Sequence, residues 1–392
     1  MKKLLKNNVY WLGKVDWELQ KFHGDELTTN HGSSYNSYLV QEEKTVLIDT
    51  VWLPYAKEFI DNLEQEVDLN KIDYIIANHG EPDHSGALPE LMKRIPNTPI
   101  YCTANAVRSL TGQYHQNWNF KVVKTGDSID IGNGKKLIFV EMKMLHWPDS
   151  MATYMTGDNI LFSNDAFGQH YATEMLFNDL VDNCILYSEA IKYYANILTP
   201  FSPILKKKLE EVIALNLKID IIAPSHGIIW RDNPVQIIEK YMQWCNDYQE
   251  NQITIIYDTM WNGTRALAEK ICEGIRSKDP SLSVKLYNLP KSDPNDVIAE
   301  VFRSKIILVG SPTVNNCILH SVAGFIHFMK GLKFKNKKAA AFGCYGWSGE
   351  SVKILNELLM DAGFEIQNEG LKVQWAPTPE QLVSAAEFGK GL

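Results

Sequence analysis

Short apolar runs separated by polar turns dominate the first 250 residues of the chain. The stretch NSYLVQEEKTVLIDTV (36–51) predicts two strands joined by the polar turn QEEK. Apolar residues spaced three and four positions apart predict a helix over 56–67, and KIDYIIAN (71–78) predicts a buried strand. ALPELMKRI (87–95) predicts a further helix, and DIIAPSHG (220–227) predicts another buried strand. Strands and helices therefore alternate in this half, which is typical of an α/β protein.

The remaining residues show a more regular alternation of strands and helices. Apolar runs predict five strands, at ITIIYD (253–258), SVKLYNL (283–289), KIILVGS (305–311), KAAAFGC (338–344) and KVQW (372–375). Helical spacing separates these strands, for example over 264–278. Such a pattern predicts a small doubly wound parallel sheet. The polar stretch CNDYQENQ (245–252) marks the predicted boundary between a domain 1–250 and a domain 251–392.

Charge and cysteine usage narrow the class of protein. The net charge of −8 comprises −10 in residues 1–250 and +2 in residues 251–392, which predicts two modules with different surfaces. The acidic balance disfavours nucleic acid as a partner. The six cysteines are scattered without a CxxC pair, which disfavours structural zinc and Cys-ligated iron–sulfur clusters. With no signal peptide and no run of about 20 apolar residues, we expect a cytoplasmic protein without a membrane span.

Seven residues with metal-binding side chains follow apolar, strand-like runs. The loop NHGEPDHSG (78–86) carries four of them, and the others occur in LHWPDS, FSNDAFGQH and PSHG. The predicted metal ligands are His79, Glu81, Asp83, His84, His146, Asp165 and His226. Side chains at the carboxyl ends of strands converge on a cleft, where Asp165 is placed to bridge two metals with about three further ligands each. Such a set leaves positions open for a small ligand, as a reactive site requires.

One position of the metal loop separates this chain from a zinc hydrolase. The metallo-β-lactamase fold commonly carries H-x-H-x-D-H here, whereas this chain has H-x-E-x-D-H, with Glu81 in place of the middle His. A carboxylate is a harder, anionic donor, and more carboxylate donation stabilises iron in its +2 and +3 states. The substitution therefore predicts redox chemistry at two irons, while ligand type alone leaves zinc and manganese open.

Three polar loops in the second domain follow predicted strands. The first, in YDTMWNGTRALAEK (257–270), opens a helix, offers hydroxyl and N–H groups to a phosphate, and lacks the Lys of an NTPase P-loop. GSPTVNNCIL (310–319) and FGCYGWSGE (342–350) offer backbone donors and aromatic faces to an isoalloxazine ring at the switch point of the sheet. The predicted FMN-binding residues are Thr259, Met260, Trp261, Asn262, Gly263, Thr264, Ser311, Pro312, Thr313, Asn315, Asn316, Tyr345, Gly346, Trp347, Ser348 and Gly349.

Together these motifs resemble those of the flavodiiron proteins, also called A-type flavoproteins, over nearly the whole chain. The matching segments are HGEPDH (79–84), LHWPDSM (145–151), SNDAFGQH (163–170), YYANI (193–197), PSHGIIWR (224–231), YDTMW (257–261), GSPTVNN (310–316) and YGWSGE (345–350). The resemblance implies an N-terminal metallo-β-lactamase-like αββα domain with a non-haem diiron site. A C-terminal flavodoxin-like domain, a doubly wound parallel sheet that binds FMN, would follow it.

The resemblance also implies a role for each candidate ligand. One iron would be held by His79, Glu81 and His146, and the other by Asp83, His84 and His226, with Asp165 as the bridge. The His equivalent to His84 turns away from the metal in some members of the family. His23 and Tyr194 are the predicted pocket residues, and His170 is a candidate to support the ligands.

Family members reduce dioxygen to water, nitric oxide to nitrous oxide, or both, and we expect both activities here. Two ferrous ions and FMN hold up to four electrons, enough for either reaction. The family works as a head-to-tail homodimer, or a tetramer built from it, in which FMN faces the diiron site of the other subunit and Trp347 resembles the residue between them. Because no rubredoxin-like CxxC module follows, we expect electrons from a separate donor such as rubredoxin or reduced F420.

Two other functions fit part of the pattern. The first is a dinuclear zinc hydrolase of metallo-β-lactamase fold fused to a flavodoxin-like domain, against which Glu81 argues. The second is an electron carrier with an inactive metal site, which the intact ligand set disfavours. The basic run KGLKFKNKK (330–338) predicts either a solvated turn or a docking surface for an acidic electron carrier, with Lys335 and Lys337 as its test positions.

Overall fold

The computed structural model describes residues 2–392, which fold into two compact units. The first unit comprises the residues up to Tyr193 together with Phe201–Gln243, and the second comprises Tyr194–Pro200 together with Trp244–Leu392. The short segment 194–200 therefore belongs to the second unit. The predicted single boundary after residue 250 does not include this segment in the second domain.

The first unit contains two large β-sheets and two short two-stranded sheets. Its strands are β1 (Lys3–Lys6), β2 (Val9–Trp11), β3 (Lys14–Asp16), β4 (Lys21–Phe22), β5 (Leu27–Thr28), β6 (Ser33–Tyr35), β7 (Tyr38–Gln41), β8 (Thr45–Ile48), β9 (Ile72–Ile76), β10 (Ile100–Cys102), β11 (Phe120–Val122), β12 (Ser128–Gly132), β13 (Lys135–Glu141), β14 (Met151–Met155), β15 (Ile160–Asn164) and β16 (Ile221–Pro224). One sheet has the order β1-β2-β7-β8-β9-β10-β11, and the other runs from β12 to β16 in sequence. Strands β3 and β6, and β4 and β5, form the two-stranded pairs.

The two large sheets share one apolar core. Val40, Ile48 and Ile76 of the first sheet cluster with Phe139 and Phe162 of the second, and all five are essentially inaccessible to solvent. Strands β14 and β15 are buried along their whole length, so their near-continuous apolar sequences are what the packing requires. Polar residues that end such strands are therefore held on a rigid base.

Helices accompany both sheets. They are α1 (Ala56–Glu66), α2 (Pro82–Ser85), α3 (Leu88–Arg94), α4 (Ala104–Tyr114), α5 (Asn183–Tyr193), α6 (Ser202–Ala214) and α7 (Val235–Trp244). Helix α1 buries Phe59, Ile60 and Leu63, the apolar face predicted from its spacing. In the described residues, no helix has the length and apolar character needed to cross a membrane.

The second unit is built on a parallel sheet. Its strands and helices are β17 (Gln252–Tyr257), α8 (Gly263–Lys278), β18 (Ser283–Asn288), α9 (Pro294–Arg303), β19 (Ile306–Gly310), α10 (His320–Leu332), β20 (Lys338–Tyr345), α11 (Ser351–Asp361), β21 (Glu365–Ile366), β22 (Leu371–Gln374) and α12 (Pro379–Lys390). The order is β18-β17-β19-β20, and both β21 and β22 pair with β20. All five predicted strands are present within a residue or so of the expected bounds, and the short β21 was not predicted.

Candidate functional site

The predicted metal ligands lie at the ends of strands of the first unit. The loop after β9 carries His79 and Glu81, and the short helix α2 carries the next two ligands of the motif. Asp165 directly follows β15, and His226 follows β16 by two residues. Because β15 and β16 are adjacent and parallel, their carboxyl ends meet at one edge of the sheet.

The structure brings all seven predicted ligands together in two groups. Within each group the potential ligand atoms lie within 4.8 Å of one another; the groups are His79, Glu81, His146 and Asp165, and Asp83, His84 and His226. In the first, Glu81 Oε2 is 3.1 Å from His79 Nε2 and 3.2 Å from His146 Nε2. In the second, Asp83 Oδ2 is 3.0 Å from His226 Nε2 and 3.2 Å from His84 Nε2.

Asp165 lies between the two groups. Its Oδ1 is 2.8 Å from His84 Nε2 and 3.6 Å from His226 Nε2. Its Oδ2 is 3.5 Å from His146 Nε2 and 3.6 Å from His79 Nε2. Each carboxylate oxygen therefore faces one group, which is the geometry of a bridging ligand, and the His84 ring points into the site.

Burial and opposite charges shape the electrostatics of this cluster. Burial lowers the pKa of His84, but the Asp83 and Asp165 carboxylates outweigh it and raise that pKa to about 9. Burial likewise lowers the pKa of His146, but Asp165 and Glu81 outweigh it and raise that pKa to about 9. Burial raises the pKa of Asp165, whereas His84 and His146 bring it well below its usual range. A buried set of carboxylates that pulls protons onto imidazoles is a site that attracts positive charge.

Several ligand atoms in the described residues are buried without a hydrogen-bond partner. Within residues 2–392, both Asp83 carboxylate oxygens and Asp165 Oδ2 are buried without a hydrogen-bond partner, although imidazole nitrogens lie 3.0 to 3.6 Å away. Such atoms cost free energy unless something binds them. Metal ions would bind them, and a mixture of carboxylate and imidazole donors suits iron. The residues present therefore fit a dinuclear metal centre.

Residues around the ligands hold them in orientation. Asp149 Oδ1 lies 2.9 Å from His79 Nδ1, and its other oxygen accepts a hydrogen bond from Gly80 N. The carbonyl of Ser34 lies 2.8 Å from His226 Nδ1. Sequence reasoning missed Asp149, although an acid three residues after His146 in a ligand-bearing loop was a usable signal.

His23 and His170 both lie beside the ligands. His23, on the turn between β4 and β5, places Nε2 3.0 Å from Glu81 Oε1. The His170 ring contacts that of His226 at 5.1 Å between centroids, and its Nδ1 is 2.7 Å from Ser33 Oγ. Burial, together with the neighbouring His226 and His23, lowers the pKa of His170 well below its ordinary value, so this ring is neutral.

The tyrosine beside the metal ligands is Tyr193 rather than the predicted Tyr194. Tyr193 packs against His170 with ring centroids 5.4 Å apart. Tyr194 instead packs against Trp244 and Phe302, each at 5.4 Å. Adjacent residues at the end of a helix point in different directions, and the motif YYANI gave no means of choosing between them.

The three predicted flavin loops meet at one edge of the second unit's sheet. They follow β17, β19 and β20, which are adjacent and parallel. In flavodoxin-like sheets this edge, at the topological switch point, is where ligands bind. The loop after β19 is fixed by Ser311 Oγ, which accepts from Leu319 N at 3.0 Å, and by Thr313 Oγ1, which accepts from Ser351 N at 3.2 Å.

The loop before α8 has the properties of a phosphate site. The Oγ1 atoms of Thr259 and Thr264 are buried, and neither has a hydrogen-bond partner in the part of the chain that the structure describes. The N-cap residue Asn262 makes no side-chain capping hydrogen bond to α8. A Cβ at Gly263 would sit 3.0 Å from Cys344 Sγ, so glycine lets the loop close tightly. Unpartnered hydroxyls beside a helix N-terminus fit a phosphate group.

The other predicted flavin residues differ in exposure. Trp261 and Trp347 are 90 % and 86 % exposed, and Met260 is also exposed. Asn315 and Asn316 both adopt the left-handed backbone conformation that asparagine tolerates. Ser348 Oγ lies 3.5 Å from Asn316 Oδ1, which places the second and third loops side by side.

Most lysines of the basic run KGLKFKNKK (330–338) are exposed, but Lys337 is not. Lys337 is buried, and its Nζ lies within hydrogen-bond distance of the carbonyl oxygens of Tyr248, Phe302 and Ser304. It is therefore unavailable for docking, because the side chain fills a cavity lined by backbone acceptors. Lys335 is exposed.

Comparisons with known proteins agree with this architecture. Residues 34–227 match the ODP family of β-lactamase-like domains, and residues 255–389 match flavodoxin. The chain is 56 % identical over 390 residues to the anaerobic nitric oxide reductase flavorubredoxin of Salmonella paratyphi B, covering 99 % of this chain and 81 % of that protein. The rubredoxin oxygen:oxidoreductase of Desulfovibrio gigas superposes with a TM-score of 0.95 at 34 % identity, over 100 % of this chain and 97 % of that one. The flavodiiron protein of Giardia intestinalis gives the same TM-score and identity, over 100 % and 96 %.

The fold and the site define a class of protein in which a β-lactamase-like domain precedes a flavodoxin domain. The chain belongs to the flavodiiron protein family. Both the predicted fold class and the predicted family are confirmed.

Proposed function

We propose that this protein reduces nitric oxide to nitrous oxide at a diiron centre, with electrons relayed through FMN. One observation carries the proposal: Asp165 lies between two histidine–carboxylate groups in a chain that is 56 % identical to a nitric oxide reductase flavorubredoxin. The presence of Glu81 within 3.2 Å of two histidines supports iron rather than the zinc of a hydrolase.

His79, Glu81 and His146 would hold one iron, Asp83, His84 and His226 the other, and Asp165 would bridge them. When bound, two irons would supply reducing electrons and open coordination positions for NO. Each oxygen of Asp165 faces one of the groups, which supports this division.

Reduction of two NO molecules to N2O and water consumes two protons as well as two electrons. His23 is positioned to hold a proton at the edge of the site, because Nε2 lies 3.0 Å from Glu81 Oε1 while the side chain keeps about a third of its surface exposed. His170 and Tyr193, in contrast, are both buried beside the ligands. We infer that His23 relays protons and that the other two residues exclude water. Tyr194 would support the fold through its packing against Trp244 and Phe302.

FMN would bind where the three loops of the second unit meet. Thr259 and Thr264 would donate their unpartnered hydroxyls to the phosphate. The loops carrying Ser311–Asn316 and Tyr345–Gly349 would hold the isoalloxazine ring through backbone donors and aromatic faces, Trp347 among them. The flavin would supply electrons one or two at a time.

Dioxygen is a second candidate substrate. The likeness to a rubredoxin oxygen:oxidoreductase, at a TM-score of 0.95 over the full chain, favours this activity. We further propose rubredoxin as an electron donor, since that enzyme and the flavorubredoxin relative both carry it in their names. A head-to-tail homodimer and a cytoplasmic location complete the proposal, and the six free thiols suit a reducing compartment.

Anaerobic stopped-flow reoxidation tests the substrate assignment. The iron- and FMN-loaded protein is fully reduced and mixed separately with NO and with O2, while flavin absorbance is followed. We expect rapid reoxidation by NO with N2O as product, and reoxidation by O2 without release of peroxide. Slow reaction with both gases would contradict the proposal and favour the zinc hydrolase, which metal analysis and a thioesterase assay would then identify.

A further inference from the structure

We propose that Trp375 is a positioning residue of the flavin site, whose indole supports the loop Tyr345–Gly349 and Trp347 within it. The inference rests on the proposed function, because it takes FMN as the ligand of the three loops. Trp375 lies outside those loops, and no sequence motif pointed to it.

The segment around Trp375 contacts the loop after β20 at three points. The backbone N–H of Trp375 donates to the carbonyl of Tyr345 at 2.6 Å. Gln374 Nε2 donates to the carbonyl of Gly346 at 2.9 Å. The indole itself lies against Gly346, where an added Cβ would be 3.0 Å from the ring. The start of the loop therefore rests on this tryptophan and on the residue before it.

The conformation and exposure of Trp375 indicate a role other than packing. Its φ is +59°, a left-handed backbone conformation that bulky residues rarely adopt. Its side chain is nevertheless 61 % exposed, so burial of the ring does little to offset that strain. Strained residues of this kind are concentrated at functional sites.

Trp375 also forms an aromatic pair with Trp347. The ring centroids are 6.4 Å apart at an interplanar angle of 51°, within the range of favourable aromatic contacts. Trp347 is 86 % exposed, so burial does little to fix its orientation. We infer that the Trp375 indole limits where Trp347 and the backbone N–H groups after Gly346 can lie, and so prepares the loop for a flat aromatic ligand. Preorganisation of this kind lowers the entropic cost of binding.

The test separates the indole from the backbone turn. W375N keeps a residue that tolerates the left-handed conformation but removes the ring, whereas W375F keeps an aromatic ring. W17N is the matched control, because Trp17 is 57 % exposed and belongs to the first compact unit. Full-length apoprotein of each variant is titrated with FMN, and the dissociation constant is read from quenching of flavin fluorescence.

We expect W375N to raise the dissociation constant about tenfold, W375F to raise it no more than about threefold, and W17N to leave it unchanged. At saturating FMN, W375N should also alter the visible circular dichroism of the bound flavin, which a general loss of stability would not do. If W375N does not fold, W375G replaces it, since glycine also adopts this backbone conformation and has no ring.

Wild-type affinity in W375N would overturn the inference, and so would equal weakening by W375F and W375N, because the backbone rather than the indole would then matter. Failure of the wild-type apoprotein to bind FMN is a different result, which would contradict the proposed function itself.

Discussion

Asp165 shows how one side chain sets the chemistry of a site. It directly follows a fully buried strand, and each of its oxygens faces a different histidine group. Sequence reasoning could find Asp165 because a polar residue directly after an apolar strand is visible in the chain. It could not find Asp149 or Trp375, whose importance depends on contacts with His79 and Gly346 that no local pattern reveals.

Replacement of Asp149 by Asn should weaken iron binding. The carboxylate lies 2.9 Å from His79 Nδ1, so its charge favours the tautomer and orientation in which Nε2 is free for a metal. We expect D149N to lower iron affinity by about 10- to 100-fold, measured by competition with a chelator. D73N is the control, since Asp73 lies near the start of β9, at the end away from the metal loop, and accepts a hydrogen bond from Lys44. Equal iron affinity in D149N and wild type would show that Asp149 does not position the ligand.

Gly227 should be indispensable to the second ligand group. Its φ is +68°, and a Cβ there would overlap the side chain and carbonyl of Gln169. Gly134 has a similar φ of +72° but open space around it, so G134A carries the backbone strain alone. We expect G227A to be less stable than G134A by about 1–3 kcal/mol and to lose iron from the site next to His226. Similar unfolding curves and iron contents for the two variants would refute this.

At the scale of elements, strands and the loops after them were the predictable features. Apolar runs such as KIDYIIAN and KIILVGS have few other ways to be buried, and the loops that follow them had to reach the same sheet edge. Side-chain direction at element ends was less predictable. The prediction named Tyr194, whereas Tyr193 is the residue that packs against His170. Lys337 was predicted to lie on a surface, although it is buried just before β20.

Lys337 should make the stability of the second unit depend on pH. Burial lowers its pKa from 10.5 to about 7, a shift that Asp247 partly offsets. Between pH 7 and pH 10.5 the unfolded chain binds a proton at Lys337 that the folded chain does not. Raising the pH across this window therefore increases the free energy of unfolding, and lowering it towards 7 decreases that free energy. The melting temperature of wild type relative to K337M should therefore increase from pH 7 to pH 9. K335M, at an exposed position, should show no such trend. A difference between wild type and K337M that is constant with pH would contradict the assignment.

At the scale of the whole molecule, the negative charge is unevenly distributed along the sequence, with a net −10 in residues 1–250 and +2 in residues 251–392. Residues 251–392 would therefore repel an acidic electron carrier less than residues 1–250 would. The family and fold class followed from the order of motifs along the chain. The partner, the oligomer and the relative rates with NO and O2 depend on surfaces and pocket shape that such motifs do not encode.

Charge reversal at Lys335 tests whether an acidic electron carrier docks on the exposed lysines of the run 330–338. Lys335 is exposed, whereas Lys337 is not. We expect K335E to raise the KM for reduced rubredoxin several-fold at low salt without changing kcat, with the difference shrinking as ionic strength rises. K207E, in the first unit, serves as the control. An unchanged KM at low salt would show that rubredoxin does not dock at Lys335.

The yield of N2O in a single turnover tests directly whether this site reduces nitric oxide. Fully reduced, iron- and FMN-loaded protein is mixed with NO under anaerobic conditions, and N2O is quantified by gas chromatography. Four stored electrons predict about two molecules of N2O per chain, and H146A, which removes a ligand of the first group, should fall to background. No N2O from the wild type, or an undiminished yield from H146A, would contradict a nitric oxide reductase that works at this diiron site.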